Sequence, residues 1–206
     1  MSSQSAPIAN FFSNRLAYVV SALFSPFLIL PALIVAATWR VAASPPQFVA
    51  WVGIPFLFLF IIPTAYIANE VRARRMSDIH IMVREQRAMA FLVFLVSAAV
   101  AIGIYWWIKV PASLLILGVV VFLNALFAAF ITLFWKISIH AWVLSGAVTA
   151  FALIVDSPFA WWILLFIPLV IWSRIYRGRH TVLQGLMGAL IGASATYALY
   201  LLIRST

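Results

Sequence analysis

The sequence predicts an all-α fold, a polytopic transmembrane helix bundle of about seven (six to seven) membrane helices. Three observations carry that expectation. Of 206 residues, 67% are hydrophobic and 8% charged, where a soluble domain has about a quarter charged; the mean hydropathy is +1.15. The apolar residues form long runs with few or no charges, each near the length of about 20 residues that crosses a hydrocarbon core. The basic residues lie between those runs. The net charge of +9 and the pI near 10.9 therefore belong to a membrane face, and nucleic acid is not an expected partner. The absence of Cys excludes a disulfide scaffold and cysteine-ligated metal.

Residues 1–15 read as a polar N-terminal tail, and the first run covers 16–39. It exceeds the signal-peptide core of about 7–15 residues and reads as an uncleaved helix. The second run, 48–67, is followed by a basic interfacial segment, 70–88, and then by the third, 89–108. Lys109-Val110-Pro111 makes a tight turn into the fourth, 111–135, because Pro opens a helix well at its first position. Residues 139–173 as one helix would be about 50 Å long at about 1.5 Å per residue, too long for the apolar core. Asp156-Ser157-Pro158 is the natural break, since Asp and Ser favour turns and caps, and it yields helices over 139–155 and 158–173. The last run, 181–203, carries Gly185, Gly188 and Gly192. Such a stripe serves close packing within one chain or between subunits, leaving a homo-oligomer or a larger membrane complex open as partners. The whole chain, 1–206, reads as one membrane domain.

Seven crossings place Arg15, Arg72, Arg74, Arg75, Arg84, Arg87, Lys136, Arg174, Arg177 and Arg179 on one face, and only Arg40, Lys109 and Arg204 on the other. The basic face is expected to be cytoplasmic, in a multi-pass protein of the plasma membrane. Trp39, Trp51, Trp106, Trp107, Trp161 and Trp162 fall near one interface, Trp135 and Trp172 near the other, as amphipathic rings prefer.

The three histidines, His80, His140 and His180, all fall on the basic face. A lone interfacial histidine is ordinarily just hydrogen-bonded, but three beside arginines point to a site. His180 and Gln184 are four apart at a helix start, so the amide oxygen can fix the imidazole tautomer. Lys136, Ser138 and His140 open the fifth helix, where unpaired N–H groups and the dipole favour an anion. His80, Arg84 and Arg87, spaced four and three apart, share a stripe if helical.

In this order and spacing the residues resemble the type-2 phosphatidic acid phosphatase (lipid phosphate phosphatase) superfamily, whose motifs are KxxxxxxRP, PSGH and SRxxxxxHxxxD. The third is matched by Ser173-Arg174, five residues, His180 and three more, with Gln184 where Asp is expected. The second keeps Ser138 and His140, with Ile137 and Ile139 replacing Pro and Gly. The first keeps Arg87, with His80 at the Lys position and Ala88 replacing Pro. The resemblance spans residues 80–184 and requires the motifs to meet on one membrane face, hence the break near 156.

It implies metal-independent hydrolysis of a lipid phosphomonoester or diphosphate through a phosphohistidine. His180 would be the nucleophile, and His140 the acid that protonates the leaving alkoxide and later activates water. Gln184, in place of the carboxylate, would orient His180 without adding charge, so a slower reaction is expected. Arg87, Arg174, Ser138 and His80 would hold the phosphate oxygens, with Lys136 and Arg84 as neighbouring cations. The partners implied are a membrane lipid substrate and the bilayer.

Two other readings compete. A catalytically impaired member of the fold could serve as an accessory or structural subunit of a membrane complex, which the degenerate motifs favour. A transporter requires ionisable groups at mid-membrane, where the spans offer only Asn124 and hydroxyls. Arg72, Arg74 and Arg75 would attract anionic head groups at about 1 kcal/mol each. With four acids in the chain, Glu70, Asp78, Glu85 and Asp156, and no phosphate-loop, HExxH, GxSxG or dinucleotide motif, neither a metal nor a cofactor is expected.

Overall fold

The computed structural model describes residues 6–75 and 84–204, with side chains over 12–75 and 89–204. Among the described residues every regular element is helical. In chain order they are α1 (Ala6–Leu23), α2 (Pro26–Val41), α3 (Pro45–Pro55), a π-helical turn (Phe56–Ile61), α4 (Ile62–Arg72), α5 (Arg84–Trp107) and α6 (Ala112–Phe134). The chain continues through α7 (Ile139–Leu153), α8 (Ala160–Leu164), α9 (Phe166–Tyr176) and α10 (Val182–Arg204).

The expected first span is corrected. α1 and α2 meet at a 41° bend, because Ser25 precedes Pro26 and is held extended at φ −72°, ψ 150°. The helix also starts earlier than the expected tail allowed, at Ala6. The second run is longer than expected: α3, the π turn and α4 form one helix, Pro45–Arg72, of 28 residues. Its register widens between two prolines, Pro55 and Pro63, and Ile62 N–H reaches back five residues to the Leu57 carbonyl. Pro63 would press on the carbonyl four residues before it in a regular helix, and the wider turn relieves that clash.

The turn before α6 forms as expected, with Lys109 at φ 54° and Pro111 capping the helix. The expected break also forms: α7 ends at Leu153, Asp156 takes φ 52°, and Ser157 N–H closes on the Phe151 carbonyl at 3.2 Å. The return helix is interrupted once, at Leu165, where Pro168 has no N–H to give the Leu164 carbonyl.

Among the described residues four helices are long and apolar enough to cross a membrane, or five if the bent α1–α2 pair is one span. Ile139–Leu153 and Ala160–Tyr176 are apolar but shorter; they form the hairpin that separates the last two site segments. α7 is the central helix, buried on most of its circumference from Ala141 to Ala150. Leu144 and Val148 pack with Val20 and Val170, and Ala147 and Ala150 pack with Leu33, Leu114 and Leu117.

The glycine stripe fixes how α7 meets α10. A Cβ on Gly188 would lie 2.7 Å from the Ser138 carbonyl oxygen, and one on Gly146 2.9 Å from Thr196 Oγ1. Gly192 faces the Trp142 carbonyl more closely still, and Gly185 packs on Ile171. Contacts advance along both helices together, 138 to 146 against 188 to 196, so α7 and α10 run parallel and start at the same end of the bundle. The stripe is used inside the chain.

Candidate functional site

Parallel packing brings the starts of α7 and α10 side by side, and Ser138 N–H donates to the Gln184 carbonyl at 3.2 Å across the junction. The segment between α9 and α10 is folded back on α9. Gly178 at φ 63° ends the helix, and the N–H groups of Arg179 and His180 both return to the Arg174 carbonyl, at 3.0 and 3.3 Å. That tie delivers His180 beside Arg174 although the two are six apart in sequence.

α10 begins with a reciprocal cap. Thr181 Oγ1 accepts from Gln184 N–H at 3.3 Å, and Gln184 Oε1 accepts from Thr181 N–H at 3.2 Å. The same Gln184 oxygen lies 3.3 Å from His180 Nδ1. Since that oxygen can only accept, the contact places the proton on Nδ1 and the lone pair on Nε2.

His140 and His180 line one cavity of about 700 Å³, together with Lys136, Arg174, Arg177 and Arg179. His140 lies close to His180 and in the field of Arg174 and Arg177. Arg174 Nη1 donates to Ser21 Oγ at 2.6 Å, while its Nε is buried without a hydrogen-bond partner. Arg177 lies over the ring of Tyr18, 5.1 Å from the centroid. Among the described residues no Asp or Glu lines the cavity.

From the charged end the cavity runs along α7 as far as Ala150, ten residues from His140 and so about 15 Å deeper. Leu30, Leu33, Leu59, Phe60, Phe94 and Leu117 wall that deeper part. An Asn amide and a Thr hydroxyl interrupt it, Asn124 and Thr196. Asn124 accepts from Trp142 Nε1 at 3.0 Å and donates to Thr196 Oγ1 at 3.1 Å, tying α6, α7 and α10 together.

The structure thus brings together His140, His180, Gln184, Arg174 and Lys136 of the expected set. Ser138 has a different job: its side chain is fully buried and caps α7 by accepting from Ala141 N–H at 3.5 Å, and it is not part of the cavity lining. His80 and the side chains of Arg84 and Arg87 lie outside the described residues. Ser21, Tyr18, Arg177 and Arg179 are additions. The two arginines read from sequence as topological charges, and a hydroxyl within an apolar helix carries no signal of its own. Among the described residues no three His, Asp or Glu side chains group as a metal site.

Compared with family models, curated proteins and solved structures, the chain matches none.

Proposed function

We propose that this chain is a multi-pass lipid phosphate phosphatase, a divergent member of the type-2 phosphatidic acid phosphatase superfamily. It hydrolyses a phosphomonoester or diphosphate of a phosphatidyl or isoprenyl lipid. One observation carries the reading: two histidines 40 residues apart meet beside Arg174 at the cationic end of a cavity whose depth is apolar. A phosphate head and a hydrocarbon tail require that pairing of ends. The excess of Lys and Arg on the site's face supports placing it at the cytoplasmic surface of the plasma membrane.

In the reaction His180 Nε2 attacks the terminal phosphorus, the bond from it to the bridging oxygen breaks, and the leaving group, the lipid alkoxide of a monoester or the lipid monophosphate of a diphosphate, takes a proton from His140. Water then attacks the phosphohistidine as His140 takes its proton back, releasing inorganic phosphate. Arg174, with Lys136, holds the phosphate oxygens and offsets their charge. Gln184 fixes the His180 tautomer.

A second reading is favoured by Gln184 itself, whose neutral oxygen is shared between His180 and the helix cap. A site that cannot stabilise the phosphohistidine cation suits an accessory subunit that binds a lipid phosphate without turning it over. The test is phosphate release by the purified chain in detergent, without divalent metal, from phosphatidic acid, phosphatidylglycerophosphate and isoprenyl mono- and diphosphates. Release that disappears in His180→Ala is the expected result. Binding without release, with release appearing only in Gln184→Asp, establishes the accessory role; neither binding nor release overturns both.

A further inference from the structure

α1 lies outside residues 80–184, which carry the resemblance, yet it enters the site through Ser21. That residue is 2% exposed and lines the cavity. Its hydroxyl takes the hydrogen bond from Arg174 Nη1 at 2.6 Å, and its backbone lies near the His140 ring on the same cavity wall. Arg174 comes from α9 and His140 from α7, so a residue of a third helix holds the one and borders the other. Three residues earlier, on the same face of α1, Tyr18 lies under Arg177. Phe24, three residues later, stacks on Phe166 at 4.8 Å. α1 therefore lies antiparallel along α9, and its successive turns meet Arg177, then Arg174, then the apolar start of that helix.

The chemistry of a hydroxyl suits this position. A carboxylate at 21 would pair with Arg174 and cancel the charge that an anion needs, whereas a hydroxyl accepts one N–H and leaves the guanidinium cationic. Arg174 keeps further donors, among them the unpartnered Nε. Without an acceptor at 21, a long side chain with several rotatable bonds has to be ordered when the ligand arrives.

We infer that Ser21 is the positioning residue of this site, its hydroxyl fixing the Arg174 guanidinium so that an incoming phosphate meets it in place beside His140. This rests on the phosphatase reading above. The test is a double-mutant cycle on the full chain in mixed micelles, with phosphatidic acid and farnesyl diphosphate as substrates, crossing Ser21→Ala with Arg174→Lys. Ser21→Ala is expected to lower kcat/KM about tenfold, mostly through KM, in the otherwise native chain. It is expected to change kcat/KM less than about twofold in Arg174→Lys, whose ammonium lacks the fork that Ser21 orients. Ser21→Thr, which keeps the hydroxyl, is expected to restore most of the loss.

Equal losses in both backgrounds, or native kcat/KM in Ser21→Ala, overturn the inference. Unfolding midpoints of the same variants identify a loss that comes from misfolding, and a loss that follows the midpoint also overturns it. A native chain that neither binds nor hydrolyses either substrate removes the phosphatase reading and this role with it, an outcome distinct from a working native chain without coupling.

Discussion

The two sides of the cavity are built by opposite rules. On one side α7 and α10 meet backbone to backbone, with Gly146, Gly188 and Gly192 leaving no room for a Cβ. On the other, the helix Pro45–Arg72 and α5 present Leu59, Phe60, Phe91 and Phe94, and the first of these helices carries a π turn between two prolines. The two histidines proposed to react, His140 and His180, belong to the glycine side. A displacement of about 1 Å can cost a hundredfold in rate, so the groups that must meet stand where backbone contact, not side-chain packing, sets the spacing. On the proposed reading the other side receives a lipid tail and has only to be apolar and adaptable, which large side chains on an irregular helix supply.

The largest effect is expected from Gly192→Ala. The added methyl would press on the Trp142 carbonyl, which is backbone and cannot turn away, and on Ser145 Oγ, 2.6 Å away. Overpacking of this kind costs about 1–3 kcal/mol, so the unfolding midpoint in detergent falls, and phosphate release falls with it as the start of α10 moves. An unchanged midpoint would mean that α7 and α10 can separate freely, and the contrast between the two sides would then be lost.

That contrast was only half legible in the sequence. The glycines at three- and four-residue spacing announce a close helix contact, but Gly146, which completes it, stands alone in α7 without a pattern. The Asp156-Ser157-Pro158 break was readable because three turn-forming residues interrupt an apolar stretch too long to be one helix. Ser25-Pro26 was not, because a single Ser-Pro step in an apolar run fits a kinked span as well as two helices. The cap of α10 has a sequence signature, Thr181 followed three residues later by Gln184, that was hidden behind the reading of Gln184 as a histidine partner; the structure gives that one oxygen both tasks.

Gln184→Asp sharpens the comparison within the rigid side by adding charge without moving backbone. A hydrogen bond to a charged acceptor is worth about 1 kcal/mol more than a neutral one, or about fivefold in rate. Asp also suits the first turn of a helix. Phosphate release is expected to rise by that factor. A rate at or below the native one would show that the shorter side chain fails to reach Nδ1, and that length outweighs charge here.

Trp142→Phe tests whether the polar tie helps hold the glycine side together. It removes the donor to Asn124 Oδ1 and leaves the Asn124–Thr196 bond in place. Such bonds between membrane helices average about 0.6 kcal/mol, so the unfolding midpoint is expected to fall slightly, and much less than in Gly192→Ala. A fall as large as that of Gly192→Ala would move the weight of this contact from the glycines to the hydrogen bonds.

The smallest effect, and the one of opposite sign, belongs to Gly103→Ala on the other side. Gly103 lies within α5 with nothing inside 4 Å of a built Cβ. The methyl therefore meets no neighbour, and what remains is the backbone entropy that Gly loses in a helix, about 0.5 kcal/mol in favour of Ala. The unfolding midpoint should rise slightly with phosphate release unchanged. If instead Gly103→Ala destabilised the chain as Gly192→Ala does, α5 would have a close neighbour at that position, and the difference between a side spaced by backbone and a side spaced by side chains would not hold.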